Sequence, residues 1–175
     1  MRNIEIKAKI DDPEVLVDKL KKITKCECTV IKQCDTFFKT SKGRLKLRQF
    51  EDGTGELIYY ERTNMTGPKL CNYQITKISA ETCGDLKNTL SLCYGTHGIV
   101  EKIRHLFMID QTRVHIDDVN GLGSFMELEV VLNDNQDISM GEQIAQDIMT
   151  QLGIHRESLV PEAYVDLLNK KKALI

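Results

Sequence analysis

Residues 3–10 read NIEIKAKI. Ile4, Ile6, Ala8 and Ile10 alternate with Asn3, Glu5, Lys7 and Lys9, a period of two that predicts a β-strand with one apolar and one ionic face. Antiparallel sheets usually turn such an ionic face to water. Whether this strand does so decides the fold, because the pattern recurs along the chain. In GRLKLRQF (43–50), Arg44, Lys46 and Arg48 share a face opposite Leu45 and Leu47. In LIYYERT (57–63), Tyr60 and Arg62 share one, although Tyr59 and Glu61 blur the alternation. EKIRHLF (101–107) sets Lys102 and Arg104 together, and TRVHID (112–117) aligns Arg113, His115 and Asp117. FMELEVVL (125–132) aligns Phe125, Glu127, Glu129 and Val131 against Met126, Leu128 and Val130.

Two features argue against a solvated ionic face. Charges facing water are ordinarily mixed in sign along a strand, because like neighbours repel. Arg44, Lys46 and Arg48 instead place three cations in a row, about 7 Å apart, and Glu127 and Glu129 repeat one sign at the same spacing. The second feature is a set of helices with apolar stripes that need a surface to cover. Asp11-Asp12-Pro13 starts one, with Leu16, Leu20 and Ile23 on one face. A second follows Ser79, with Leu86, Leu90 and Cys93 on a face and Gly95 at its end. A third begins at Ser139, where Ser139 and Glu142 fit a capping box; Ile144, Ile148 and Leu152 form its stripe and Gly153 stops it. A short fourth follows Pro161 and carries Tyr164, Leu167 and Leu168.

Besides the opening stretch, strands are expected at 30–39, 43–50, 56–63, 72–78, 98–110, 112–119 and 124–132, with Gly53 and Gly55 marking a hairpin. Short turns between consecutive strands argue for antiparallel pairing. The order strand, helix, several strands occurs twice, which suggests two similar halves. The predicted fold is α+β and mainly antiparallel: a closed eight-stranded β-barrel tunnel with helices packed outside, in a single domain spanning residues 1–175.

In such a barrel the ionic faces line the bore. Eight cations (Lys7, Arg44, Lys46, Arg48, Arg62, Lys102, Arg104, Arg113) then meet four anions (Glu5, Asp117, Glu127, Glu129), an excess of four. Unpaired buried charge is very costly, so this bore must hold water and a strongly anionic ligand. Clustered carboxylates facing cations are a way to hold Mg²⁺ beside phosphates. The chemistry implied is metal-assisted phosphoryl or nucleotidyl transfer on a polyphosphate. His115 lies inward beside Asp117 and either assists proton transfer or makes a passive hydrogen bond. Tyr164 either packs in the core or contacts the tunnel end.

NIEIK resembles the N-terminal E-x-E-x-K signature of the CYTH superfamily, the triphosphate tunnel metalloenzymes, which include class IV adenylate cyclases and thiamine triphosphatases. The likeness extends through GRLKLR, LIYYERT, GPKLCNY, EKIRHLF, TRVHIDDVNGLGSFMELEVVL and PEAYVDLL, essentially the whole chain. It implies a tunnel of eight antiparallel strands in which a small-molecule triphosphate binds with Mg²⁺ or Mn²⁺. Carried over by position, Glu5, Glu127 and Glu129 resemble metal ligands supported by Asp117, and with Lys7 they form the catalytic set. Lys7, Arg44, Arg48, Arg62, Lys102, Arg104 and Arg113 resemble phosphate contacts. Lys46 shares the inward face, and Lys69 of GPK is expected in a mobile segment over the tunnel mouth. Asn3 stands where the signature has its first Glu; it offers a carbonyl oxygen without charge and weakens metal binding at that corner. Three functions follow as alternatives: triphosphate hydrolysis, cyclisation of ATP to cyclic AMP and pyrophosphate, and polyphosphate binding without turnover.

Other function classes are disfavoured. A net charge of −2 gives no global attraction to nucleic acid or a membrane surface. No apolar run approaches the roughly 20 residues of a membrane span. The chain opens directly on a strand, without an apolar signal segment, so a soluble cytoplasmic protein is expected. The cysteines at 26, 28, 34, 71, 83 and 93 fit no zinc spacing and are expected as reduced thiols, and the four histidines form no ligand cluster. Lys170-Lys171-Lys172 reads as a solvated helix end. The sequence leaves monomer and homodimer equally open.

Overall fold

In the computed structural model, which describes residues 1–24 and 27–174, the apolar face of the opening strand is fully shielded: Ile4, Ile6 and Ala8 have no exposed surface. That strand is β1 (Arg2–Lys9). Along the chain follow α1 (Pro13–Thr24), β2 (Thr29–Phe38), β3 (Arg44–Phe50), β4 (Gly55–Arg62), β5 (Lys69–Ile78), α2 (Ala80–Tyr94), β6 (Thr96–Ile109), β7 (Thr112–Val119), β8 (Gly123–Val131), α3 (Ile138–Leu152) and α4 (Tyr164–Ala173). The strands close into an antiparallel barrel in the order β1-β5-β4-β3-β2-β6-β7-β8. Closure removes every exposed sheet edge.

Apolar faces point outward and the helices cover them. Ile4 and Ile6 of β1, Val114 and Ile116 of β7, and Met126, Leu128 and Val130 of β8 pack with Leu16 and Leu20 of α1 and with Ala145, Ile148, Met149 and Leu152 of α3. On the opposite side Cys83, Leu86 and Leu90 of α2 cover Phe38, Leu45, Leu47 and Leu57. A third cluster closes one end of the barrel. Tyr164 and Val165 of α4, with Ala163, pack on Phe37, Val100, Val119 and Phe125. The segment before α4 is tied to β1, since Val160 N donates to Lys7 O at 2.9 Å.

The repeated order seen in the sequence is a topological symmetry. Exchanging β1 with β5, β2 with β6, β3 with β7 and β4 with β8 reproduces the same ring of neighbours in reverse. Each half runs strand, helix, then three strands, with α1 and α2 in matching places.

Two local expectations are corrected. α3 is capped by Asp137, and Ser139 lies inside the helix with no capping box; Ile138 already has helical geometry, so the helix starts one residue before that motif. β5 begins at Lys69 instead of 72, because Lys69, Leu70 and Cys71 pair with Glu5, Ile4 and Asn3 of β1. The helix stops at Gly95 and Gly153 are as expected. Cys93, placed on the covered face of α2 by its spacing, is exposed. Cys28, Cys34, Cys71, Cys83 and Cys93 are free thiols, and Cys26 lies outside the described residues. No helix among the described residues is long and apolar enough to cross a membrane.

Candidate functional site

Strand alternation places the ionic faces inside the barrel. They enclose a cavity of about 310 Å³ bounded at the α4 end by Tyr164. Its lining includes Asn3 and Glu5 of β1, Asp35 of β2, and Lys46 and Arg48 of β3. Arg62 of β4, Lys102 and Arg104 of β6, Arg113 and His115 of β7, and Glu127 and Glu129 of β8 complete the polar wall. Toward the end remote from Tyr164, Ile31, Phe50, Ile75 and Leu106 make the wall apolar. The register explains this polarity. Phe50 lies opposite Gln33, one inward position beyond the Arg48–Asp35 pair, and Leu106 lies beyond Arg104 on β6.

The charges form shared pairs. Lys46 Nζ donates to Asp35 at 2.7 Å, and Arg48 donates to the same carboxylate through Nε at 2.8 Å and Nη2 at 3.0 Å. Arg104 bridges two acids, donating to Asp117 at 2.7 and 2.6 Å and to Glu127 at 2.7 Å. Lys102 adds 2.9 Å to Asp117, which also accepts from the Tyr164 hydroxyl at 3.1 Å. Lys7 lies 3.2 Å from Glu127, Arg62 donates to Glu5 at 3.0 Å, and Arg113 donates to Glu129 at 2.8 Å. Lys7 and Lys102 also lie over the face of the Tyr164 ring, which ties the plug to the charged wall.

These environments set the protonation states. Burial raises the Asp35 carboxyl, but Arg48 and Lys46 outweigh it and hold that group far below the usual carboxylate range. Burial likewise opposes ionisation of Glu127, and Lys7 and its other cationic neighbours keep it ionised. Burial, with Arg48 close by, pushes the Lys46 ammonium down to about 8. Burial and then Arg62 do the same for Lys69, also to about 8. His115 is held below its ordinary value by burial and then by Arg104, which favours the neutral imidazole.

One corner of the cavity has the donor set for a divalent cation. His115, Glu127 and Glu129 each present a ligand atom, and these atoms lie within 4.8 Å of one another. His115 Nδ1 and Asn3 Oδ1 are buried without a hydrogen-bond partner. Such orphaned groups are rare in native interiors and fit a site that receives a ligand. Glu5 adjoins this corner, since it pairs in register with Glu129.

The structure brings Glu5, Lys46, Arg48, Arg62, Lys102, Arg104, Arg113, Glu127 and Glu129 onto one cavity wall, as the alternation implies. Four other residues lie elsewhere. Lys7 and Asp117 are buried at the closed end against Tyr164, as partners of Glu127 and of Arg104. Arg44 pairs with Asp166 of α4 at 2.6 Å, outside the cavity. Lys69 is not in a segment over the mouth: it is a buried residue of β5 opposite Glu5, donating to Met65 O at 3.2 Å. The passive hydrogen bond expected of His115 is not made by Nδ1, which lies 3.8 Å from Glu127 and 3.9 Å from Glu129. Asp35 was missed because TVIKQCDTFF alternates too poorly to show an ionic face. With Asp35 and Glu56 included, six cations and five carboxylates line the cavity, so the bore is far less positive than the excess of four expected.

The CYTH domain family model matches residues 1–164. A Methanocaldococcus jannaschii protein named "Putative adenylate cyclase" is 27% identical over 179 residues, covering 95% of this chain and 98% of its own. Among solved structures, a Pyrococcus horikoshii protein superposes with a TM-score of 0.79 at 20% identity, covering 94% of this chain and 98% of that one. A Hippeastrum protein described as having a dominant triphosphatase activity superposes with a TM-score of 0.67 at 12% identity, covering 97% of this chain and 96% of that one. The match along nearly the full length, on a barrel with this topology and this charged interior, identifies the chain as a member of the CYTH domain family.

Proposed function

We propose that the protein is a metal-dependent triphosphate tunnel enzyme that hydrolyses a triphosphate inside its barrel. The observation that carries this reading is the buried cavity closed at one end by Tyr164, with Arg and Lys side chains projecting into it from four strands. Lys46, Arg48, Arg62, Lys102, Arg104 and Arg113 bind and orient the phosphate oxygens, each cation already placed by a carboxylate partner. Such preorganised donors need no rearrangement as charge develops during transfer. Glu5, Glu127 and Glu129 hold Mg²⁺ or Mn²⁺, which supplies charge neutralisation on the phosphates and a polarised water. Asp117 supports them by fixing Arg104. The plug at Tyr164 shields the reacting end from bulk water, which strengthens each of these interactions. The apolar wall at Ile31, Phe50, Ile75 and Leu106 suits an organic group on the triphosphate, so thiamine triphosphate or a nucleotide is favoured over inorganic triphosphate.

The second reading is cyclisation of ATP, in which the ribose 3′-hydroxyl attacks the α-phosphorus and releases pyrophosphate. The Methanocaldococcus jannaschii relative favours it by its name. One assay separates the readings: incubate the protein with Mg²⁺ or Mn²⁺ and ATP, thiamine triphosphate or inorganic triphosphate, and identify the products. Orthophosphate as the main product supports hydrolysis. Cyclic AMP with pyrophosphate overturns it in favour of the cyclase, and saturable binding without turnover leaves a polyphosphate-binding protein.

A further inference from the structure

We propose that His115 is a direct ligand of the divalent cation in this barrel and that its nitrogen makes the site prefer a first-row transition ion such as Mn²⁺ over Mg²⁺. The proposal rests on the triphosphate-tunnel reading and deepens it. His115 Nδ1 lies 3.8 Å from Glu127 Oε2 and 3.9 Å from Glu129 Oε1. Those separations are too long for hydrogen bonds. They are right for sharing an ion, because two ligands bound at about 2.1 Å can be no more than about 4.2 Å apart. The carboxylates supply suitable atoms. Arg113 occupies Glu129 Oε2, which leaves Oε1 toward the imidazole. Arg104 Nη2 donates to Glu127 Oε2 at 2.7 Å, so an entering cation competes with that one contact, while Asp117 keeps hold of the guanidinium at 2.7 and 2.6 Å.

A second, independent observation points the same way. His115 is 2% exposed and its Nδ1 has no hydrogen-bond partner; Asn3 is 4% exposed, lines the same cavity, and its Oδ1 has none either. Leaving a buried polar atom unpaired is costly. Among the described residues four such atoms belong to the cavity lining, Asn3 Oδ1, Gln33 Oε1, Arg62 Nε and His115 Nδ1, and His115 Nδ1 is the one beside Glu127 and Glu129. A cation held with Glu127 and Glu129 accepts a lone pair from His115 Nδ1, which a phosphate oxygen, itself an acceptor, cannot do. The identity of the ion follows from the donors. Mg²⁺ demands oxygen ligands, whereas first-row transition ions take imidazole nitrogen readily. Asn3, where a further carboxylate would favour a hard ion, moves the balance in the same direction.

The test uses the full chain and Mn²⁺ alone, read by electron paramagnetic resonance. Titration gives the affinity, and electron spin echo modulation reports whether an imidazole ¹⁴N is bonded to the ion. The expected result is bound Mn²⁺ with ¹⁴N modulation in the wild type. In His115→Gln the modulation disappears and Mn²⁺ affinity falls about tenfold or more, with Mg²⁺ competition changed much less. If that variant does not fold, the wild-type modulation alone decides. Mn²⁺ bound without ¹⁴N modulation overturns the proposal, as does unchanged modulation in His115→Gln or no Mn²⁺ binding at millimolar metal. The two modulation failures leave the triphosphate reading untouched; absence of Mn²⁺ binding would count against its metal dependence as well, and the product assay tests turnover separately.

Discussion

Asp35 anchors Lys46 and Arg48 while only 2% exposed, so it is the acid on which two phosphate-facing cations depend. Asp35→Asn leaves both cations without their counter-charge, and breaking such a buried pair costs about 3–5 kcal/mol. We expect a lower melting temperature for this variant in thermal unfolding, partly restored by inorganic triphosphate; unchanged stability would show that the pair is not needed in the empty barrel. Lys46 and Lys69, each at about 8, give a linkage signature. Their folded values lie below the unfolded one, so their protonated form is the strained form in the empty barrel and deprotonates first as pH rises through 8. A bound polyanion favours the ammonium of Lys46, which lines the cavity, and raises its value; Lys69 lies outside the cavity and serves as the internal comparison. Triphosphate binding should therefore take up protons at pH 8 and none at pH 6, measurable by calorimetry in buffers of different ionisation enthalpy. At this scale the sequence showed Arg48 and Glu127 because their strands alternate cleanly. It did not show Asp35, whose strand is buried on both faces near its end, nor the engagement of Arg44 by Asp166, which depends on where α4 docks.

α4 is the element that turns an open tunnel into a closed-ended cavity, and its docking depends on close approach to β6. A Cβ on Gly98 would come within 2.6 Å of Val165 Cγ2. Gly98→Leu should lift α4, and hydrogen exchange should quicken across 163–173 while α3 keeps its protection. Equal protection in both helices would mean that α4 is held mainly by the Tyr164–Asp117 hydrogen bond and the Arg44–Asp166 pair. Most elements were legible beforehand, because period-two and helical stripes fall on opposite sides of the same packing: Ile4 and Ile6 need a cover, and Ile148 and Leu152 provide it. Boundaries were less legible. The start of β5 is set by pairing of Lys69 with Glu5 on the adjacent strand β1, and the start of α3 by backbone geometry one residue before the Ser139 motif.

For the whole molecule, closure of the barrel is what converts surface-like strands into a charged interior. The near balance of six cations and five carboxylates lets the empty barrel fold, and binding then exchanges internal pairs for contacts with phosphate and metal. This predicts different fates for the two acids of β8. Glu127→Ala strips Lys7 and Arg104 of a buried partner and should lose stability and turnover together. Glu129→Gln, which loses charge at a more accessible site with Arg113 as its cationic partner, should fold normally and lose metal-dependent turnover. The central claim is that this interior binds a triphosphate, and calorimetric titration of inorganic triphosphate into the wild type and Arg48→Gln tests it most directly. The account predicts a single saturable site in the wild type, weakened roughly 10- to 150-fold in the variant for loss of a charged contact of roughly 1.5–3 kcal/mol. No binding in the wild type, or equal affinity in both proteins, would contradict it.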